Sequence, residues 1–265
     1  VTTARELLDL KANPNLSDST GYSALTYACS VHNERAPNHR LVALLIASDA
    51  DPDQVNSKTY ESPLMLAAGH GHSQAVGVLL QAGADIHYKR PTGETALLRA
   101  ARTRDERCVR QLLLRGAHVL VTEEEGRNAL HIAAMYGCDA VLNVLLAQSK
   151  VSELVNEKSN LGLTPLMIAA KHGWWKCVRS LVSCADCDLA VTSPQGRTAM
   201  DLAQLDEHFA CVTEIVRCEQ DKARSEGRSD DQLQEPRVSG LSIIPPHTEA
   251  PPDGDWLDGD DGGLQ

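Results

Sequence analysis

The sequence has few aromatic residues: among 265 residues there are one Phe, five Tyr and three Trp. Platforms that stack single-stranded bases and cages that hold quaternary ammonium ligands both need clustered rings, so neither kind of site is expected. With 42% hydrophobic residues the chain can still bury a sizeable core. That core must be built from aliphatic side chains.

The sequence also lacks an excess of positive charge, since 25 basic and 36 acidic residues give a net charge of −11. Affinity for phosphate backbones depends on Lys and Arg, so nucleic acid is not an expected partner. The charge is unevenly placed: residues 219–265 carry twelve acidic and four basic residues. This segment is rich in Pro and Gly and poor in aliphatics, so we expect a disordered acidic tail after a folded domain at residues 1–218.

No hydrophobic run is long enough to cross a bilayer, because the longest aliphatic stretch is Leu41–Ala47. The N-terminus lacks the layout of a signal peptide, and it opens on Val1 in mid-pattern, so we expect a longer parent chain. Eight cysteines follow no regular framework in a chain that does not need disulfides. These features predict a soluble protein of the cytosol, the nucleus or both.

A short pattern recurs six times along residues 1–218. It is seen in Gly21-Tyr-Ser-Ala-Leu25, Tyr60-Glu-Ser-Pro-Leu64, Gly93-Glu-Thr-Ala-Leu97, Gly126-Arg-Asn-Ala-Leu130, Gly162-Leu-Thr-Pro-Leu166 and Gly196-Arg-Thr-Ala-Met200. The final residues of these segments are 39, 33, 33, 36 and 34 positions apart. Each of the last five is followed, fifteen residues later, by Leu79, Leu112, Leu145, Leu181 or Ile215. Two elements at a fixed separation therefore repeat.

Each unit is predicted to form a helix, a turn, a second helix and an extended loop. A Thr or Ser two residues after the glycine is placed to cap the first helix, and Pro63 and Pro165 fall in its first turn. Gly83 and Gly116 follow second helices, where a left-handed C-cap is favoured. The eight residues Asn33–Arg40 contain an insertion in the first unit, which predicts an exposed loop because Pro37 interrupts a helix.

The pattern resembles the ankyrin-repeat family, whose period is about 33 residues and whose signature is T-P-L-H-x-A. Residues 162–173, 128–137 and 81–87 carry the clearest matches. The resemblance implies an all-α solenoid with short β-hairpin tips: a partial repeat at residues 1–18 and six repeats starting near 19, 58, 91, 124, 160 and 194. Departures from the pattern are Tyr60 in place of glycine, Asp186-Cys187 in place of Gly-Ala, and a signature histidine kept only at His131.

The family binds proteins through its concave groove and hairpin tips, so the resemblance implies which positions face a partner. The candidate binding residues in the groove are Met135, Tyr136, Arg102, Lys171, His172 and Trp175, and those at a hairpin tip are Tyr88 and Arg90. Met and Tyr are enriched at interfaces, which favours Met135 and Tyr136 as the central pair. The alternative is that these side chains only pack along the inner helices. Trp174 is expected to pack against the next repeat and Trp175 to face outward.

A stripe of arginines crosses the third repeat at Arg99, Arg102, Arg104, Arg107, Arg110 and Arg115. It could hold an acidic peptide or the acidic tail, but we favour a solvated face paired with Asp105, Glu106 and Glu123–Glu125.

No pattern of catalytic residues, cofactor-binding loop or complete metal site is present. Cys184-Ala-Asp-Cys187 supplies two of the four ligands that zinc needs, and we interpret Cys177, Cys187 and Cys211 as buried thiols in helix-packing positions. The sequence therefore predicts a non-enzymatic, monomeric adaptor or scaffold that binds protein partners, with no cofactor and no membrane insertion. Two alternatives remain: an inhibitor whose acidic tail covers a basic partner surface, and a fragment of a larger enzyme or channel.

Overall fold

The computed structural model describes residues 1–30 and 38–225. These residues form thirteen α-helices and one short 3-10 helix at Val151–Glu153. The α-helices are α1 (Thr2–Asp9), α2 (Ala24–Ser30), α3 (Asn38–Ala47), α4 (Pro63–Gly69), α5 (Ser73–Gln81), α6 (Ala96–Ala101), α7 (Glu106–Leu114), α8 (Ala129–Met135), α9 (Asp139–Leu146), α10 (Pro165–Lys171), α11 (Trp175–Val182), α12 (Ala199–Leu205) and α13 (Phe209–Ser225).

The helices after α1 form six antiparallel pairs that stack in chain order, which confirms the predicted solenoid. The first helices of the pairs, α2, α4, α6, α8, α10 and α12, pack on one another as an inner row. The second helices, α3, α5, α7, α9, α11 and α13, form an outer row. The described hairpin tips are tight turns, with isolated β-bridges at Ser17–Ser23 and Lys89–Thr95.

The predicted Ser and Thr N-caps of the inner helices are confirmed, and Asn128 caps α8 in the same way. Side-chain oxygens of Ser62, Thr95, Asn128, Thr164 and Thr198 each accept a hydrogen bond from the backbone N–H three residues later. Each bond satisfies one donor that the first helical turn would otherwise leave without a partner. The cap positions in the sequence therefore decide where the inner helices begin.

The core is aliphatic, as predicted. The outer-row residues Leu79, Leu112, Leu145, Leu181 and Ile215 are at most 1% exposed. Alanine pairs on the inner helices, such as Ala133-Ala134 and Ala169-Ala170, are also buried, and their small side chains let neighbouring helices approach closely. Met200, the last residue of the repeated pattern, is only partly buried, because its repeat packs against a neighbour on one side within the described residues.

Two sequence-based boundaries need revision. α13 continues through Ser225, so the tail predicted to begin at 219 starts no earlier than residue 226. The added turns pack against the fifth repeat through Lys222 and the buried Ala223. The predicted loop at Asn33–Arg40 ends sooner than expected, because α3 already begins at Asn38. Residues 31–37, which include the rest of the predicted loop, and residues 226–265 lie outside the described residues.

Candidate partner-binding surface

The centre of the inner-helix surface is formed by two residues that follow the ends of neighbouring helices. Arg102 caps the C-terminus of α6, and Tyr136 caps the C-terminus of α8. The Arg102 guanidinium carbon lies 5.2 Å from the centroid of the Tyr136 ring. Tyr136 is 42% exposed, and a tyrosine side chain offers a partner both apolar ring surface and a hydroxyl. The sequence indicated Arg102 and Tyr136 as separate candidates, and the structure shows that they form one cation–π pair.

Met135 is less exposed than its position in the repeat predicted. It is partly buried against the core, and its Sδ lies 3.6 Å from a guanidinium nitrogen of Arg127. Arg127 in turn contacts Glu123 and Glu125 at 2.9 Å each. Met135 therefore supports the surface from below, and Tyr136 is the member of the pair that faces outward.

Both expectations for the two tryptophans need correction. Trp174 packs on the preceding repeat: its Nε1 donates to the carbonyl oxygen of Met135 at 3.1 Å, and its ring covers Gly137. Gly137 has φ +67° and no side chain, which leaves room for the indole. Trp175 is partly buried against the core, with the Arg179 guanidinium 4.9 Å from its ring centroid. Trp174, rather than Trp175, is the residue next to Tyr136.

A hollow of about 110 Å³ lies beside Met135, between the fourth and fifth repeats. It is lined by Glu125, Arg127, Met135, Ser159, Leu161, Leu163, Ile168, Lys171 and His172. Leu161 is 71% exposed at its rim. The structure therefore brings the predicted residues Met135, Lys171 and His172 together around one partly apolar depression.

His172 and Lys171 give this hollow a polar edge. Burial lowers the pKa of His172, and the charges of Lys171 and His208 lower it further. His172 is therefore neutral at pH 7, so Lys171 is the cation at this end of the hollow. Within the described residues the Lys171 ammonium has no ion-pair partner.

The second group of predicted residues, Tyr88 and Arg90, is already engaged in contacts within the protein. Arg90 contacts Glu94 at 2.9 Å and Glu61 at 3.8 Å, and its side chain is 21% exposed. The Tyr88 hydroxyl donates to the backbone oxygen of Tyr60 at 3.0 Å. These residues are therefore weaker candidates for contact with a partner than Arg102 and Tyr136.

Arg90 belongs to a cluster of three arginines and two glutamates that joins the second and third repeats. Arg99 pairs with Glu61 and lies 3.5 Å from Glu94, and Arg102 lies 3.8 Å from Glu94. Arg99 crosses the end of α4 over Gly69, where a Cβ would lie 3.1 Å from its Nε. The cluster has one more positive than negative charge, and Arg102 is its most exposed guanidinium at 43%.

The arginine stripe of the third repeat is partly paired as predicted. Arg107 contacts Asp105 at 2.9 Å and Arg110 contacts Glu106 at 3.2 Å, both at exposed positions. Arg99 and Arg102 instead pair with Glu61 and Glu94, and the Glu123–Glu125 segment pairs with Arg127. Glu61, Glu94 and Arg127 were not predicted. Glu61 meets Arg99 of the next repeat, and no spacing along the chain shows which residues of successive repeats meet. Arg127 and Glu123 are four residues apart, so their pairing could have been predicted from spacing.

The cysteines do not form a metal site in the described part of the chain, where no three metal-binding side chains converge. All eight cysteines lie in that part and are free thiols. Cys177, Cys187 and Cys211 are at most 3% exposed, which confirms the prediction that they are buried. Burial raises the pKa of each of these three thiols to about 12, so they are protonated at pH 7.

The repeats match a known family along the whole described region. The sequence matches the family described as ankyrin repeats (3 copies) over residues 1–90, 34–123, 64–155 and 130–225. The chain belongs to the ankyrin-repeat family. Ankyrin repeats generally mediate protein–protein interaction, so a protein partner is the general expectation for this surface.

The proteins similar to this chain include some that are much longer than it is. E3 ubiquitin-protein ligase XBAT33 of Arabidopsis thaliana is 31% identical over 209 residues, which cover 67% of this chain and 40% of that protein. The nuclear factor NF-kappa-B p105 subunit of Rattus norvegicus is 32% identical over 148 residues, 54% of this chain and 15% of that protein. The chain therefore spans less than half the length of these relatives.

A solved structure shares the fold. The ankyrin repeat domain of Bcl-3, described as a unique member of the IkappaB protein family, superposes with a TM-score of 0.62 at 21% identity. The superposition covers 81% of this chain and 91% of that chain. No helix among residues 1–30 and 38–225 is long and apolar enough to cross a membrane.

Proposed function

We propose that this chain is an adaptor or scaffold that binds a partner protein through the inner-helix surface centred on Arg102, Met135 and Tyr136. The observation that carries the proposal is the exposed Arg102–Tyr136 pair beside the hollow at Met135. Exposed Tyr and Arg next to an apolar depression are typical of interface hot spots. The family supports protein binding in general, and the surface supports this particular location.

The other features of the proposal follow from the composition and the thiols. We propose a monomer that acts without catalysis or cofactor in the cytosol or nucleus, where free thiols persist. The net charge of −11 supports a protein partner over nucleic acid. The Arabidopsis relative is named as a ubiquitin ligase, but only 40% of it aligns, so a role as the partner-binding part of a larger protein is the second candidate.

Tyr136→Ala tests the binding surface. Loss of a central interface tyrosine commonly costs about 2 kcal/mol or more of binding free energy, about a thirtyfold loss of affinity. We expect most partner recovery to be lost in affinity purification with mass spectrometry, while the melting temperature changes little because the ring is exposed. Met135 is partly buried and is left unchanged in this test.

Leu114→Ala is the matched control, because Leu114 is 85% exposed on the outer helix α7. It removes apolar surface away from the proposed site, so we expect unchanged recovery of partners. Equal recovery of every partner by wild type and Tyr136→Ala would refute the proposed surface.

A further inference from the structure

The hollow beside Met135 exposes apolar surface that a ligand side chain would cover. Leu163 and Ile168 line it, and Leu161 at its rim leaves 71% of its surface in solvent. An exposed apolar rim on a pre-formed depression favours an apolar or aromatic side chain. The volume of about 110 Å³ accommodates part of one such side chain.

Lys171 favours negative charge beside that apolar side chain. It lines the hollow and has no ion-pair partner within the described residues. Glu125, the carboxylate that lines the hollow, and Glu123 both contact Arg127 at 2.9 Å. Lys171 is therefore the cation of the hollow that remains available to a ligand's carboxylate.

One segment of the chain itself has this chemistry. Residues 253–261 read Asp-Gly-Asp-Trp-Leu-Asp-Gly-Asp-Asp, which places Trp256 and Leu257 among five aspartates. No Lys or Arg follows Arg237. Trp256 is also the only one of the three tryptophans outside the fifth repeat. The segment therefore combines an apolar pair with concentrated negative charge.

The segment can reach the hollow from the end of the solenoid. Lys222 Nζ donates to the backbone oxygen of Cys187 at 3.0 Å, which places the C-terminal part of α13 beside the loop before the sixth repeat. Ser159 and Leu161 belong to the corresponding loop one repeat earlier, and packed helices are about 10 Å apart. About 30 residues separate Ser225 from Trp256, and an unstructured linker of that length has an r.m.s. span of roughly 30 Å.

We propose that residues 253–261 bind the hollow of their own chain, with Trp256 or Leu257 against Leu161, Leu163 and Met135 and a flanking aspartate near Lys171. The proposal rests on the proposed function in one respect: the segment covers the surface assigned there to the partner. A partner must then displace it, so the segment lowers the apparent affinity of the solenoid for that partner.

Hydrogen–deuterium exchange on the full 265-residue chain tests the contact. We compare wild type with Trp256→Ala/Leu257→Ala and with the matched control Ile243→Ala/Ile244→Ala, which removes the other apolar pair of the same segment. We expect backbone amides of residues 135–137 and 161–163 to exchange several-fold faster only in the Trp256/Leu257 variant. Equal exchange in all three chains would overturn the proposal.

A fluorescein-labelled peptide of residues 251–261 gives an independent readout by anisotropy. It should bind the full-length Trp256→Ala/Leu257→Ala chain at least tenfold more tightly than wild type, whose hollow is already occupied. Adding Lys171→Glu to that variant should weaken peptide binding at least fivefold. Equal affinity of the peptide for wild type and variant, or no effect of Lys171→Glu, would show that the segment does not bind this hollow.

The two proposals fail separately. If the exchange rates do not differ but Tyr136→Ala still loses partners, the surface binds a partner and the segment does not cover it. If the segment covers the hollow but Tyr136→Ala leaves partner recovery unchanged, the contact within the chain is supported and the proposed function is wrong.

Discussion

His131 is a single residue that links two repeats. It is fully buried, and its Nε2 lies 3.1 Å from the carbonyl oxygen of Leu163, to which the ring donates. Its Nδ1 lies within hydrogen-bonding distance of both the backbone N–H and the side-chain oxygen of Asn128, the N-cap of α8. Burial lowers the pKa of His131 to about 4, so the neutral ring is the form that the folded protein holds.

This pKa predicts a loss of stability in acid. Because the folded pKa lies below the unfolded value of 6.5, the stabilisation is complete above pH 6.5 and is lost as pH falls toward 4. The shift corresponds to about 3 kcal/mol at most. We expect His131→Met, which copies Met65 and Met167 of other repeats, to flatten the dependence of the unfolding free energy on pH over this range.

Urea unfolding at pH 7.5, 6, 5 and 4.5 provides the measurement. His87→Gln, at an exposed position, is the control and should keep the wild-type slope. A slope in His131→Met that equals that of wild type would show that this ring does not govern the acid response.

Tyr60 stands where five other repeats have glycine, and it adopts the same left-handed conformation with φ +57°. Residues with a Cβ pay about 1 kcal/mol for this conformation. The turn is held by backbone groups: Tyr60 N donates to Asn56 O, and the Tyr88 hydroxyl donates to Tyr60 O. Glycine can keep both contacts.

Tyr60→Gly should therefore stabilise the protein by about 0.5–1 kcal/mol, because relief of backbone strain exceeds the entropy that glycine adds to the unfolded state. Denaturant midpoints at an unchanged m-value measure the effect. Gly93→Ala at the equivalent position should destabilise it, since φ is +83° and a Cβ would lie 3.1 Å from the Cα of Glu123. A lower midpoint for Tyr60→Gly would contradict the argument.

At the scale of elements, packing extends α13 beyond residue 218, where the distribution of charge predicted the end of the folded domain. The helix continues seven residues past Cys218, through Ser225. Ala223 is 7% exposed, Lys222 donates to Cys187 O, and the Cys218 thiol contacts the Val182 oxygen. These contacts attach the final turns to the fifth repeat.

Truncation after Cys218 should therefore lower the unfolding free energy by about 1–3 kcal/mol, from the lost apolar burial and the lost hydrogen bond. Truncation after Ser225 should leave the melting temperature within a few degrees of the full chain, because it keeps all of α13. Differential scanning calorimetry of the three chains makes the comparison. Equal melting temperatures for both truncations would show that the last two turns contribute nothing.

At the scale of the whole molecule, the distribution of charge separates the two modes of partner binding. Residues 226–265 carry ten acidic and two basic residues, whereas the proposed binding surface combines Tyr136 and an apolar hollow with a few cations. Attraction between an acidic segment and a basic partner is screened by salt, but apolar burial is not. The response of the affinity to salt therefore identifies the mode.

For a partner bound mainly through Tyr136 and the hollow, we expect the Kd to change less than threefold between 50 and 300 mM NaCl. Surface plasmon resonance with an identified partner measures it. A tenfold or greater weakening that disappears when residues 226–265 are deleted would instead support an inhibitor that covers a basic partner surface.

The repeated pattern alone determined the fold and most of its local structure. A cap, an aliphatic anchor and a second anchor fifteen residues later specify helix pairs, because capping and burial act over a few residues and each repeat contacts mainly its neighbours. The sequence also indicated Arg102, Tyr136 and the hollow-lining residues Met135, Lys171 and His172 as candidates, since register within a repeat predicts which positions face the groove.

Only the tertiary structure decided which residues of different repeats meet. Trp174 turns back over Gly137, Arg99 pairs with Glu61, and the end of α13 attaches to Cys187. These contacts join residues about 30 or more positions apart in the sequence or depend on side-chain direction, neither of which the spacing of a repeat encodes. They determine that Tyr136 and Arg102 remain exposed, while Arg90, Tyr88 and Trp175 are largely occupied within the protein.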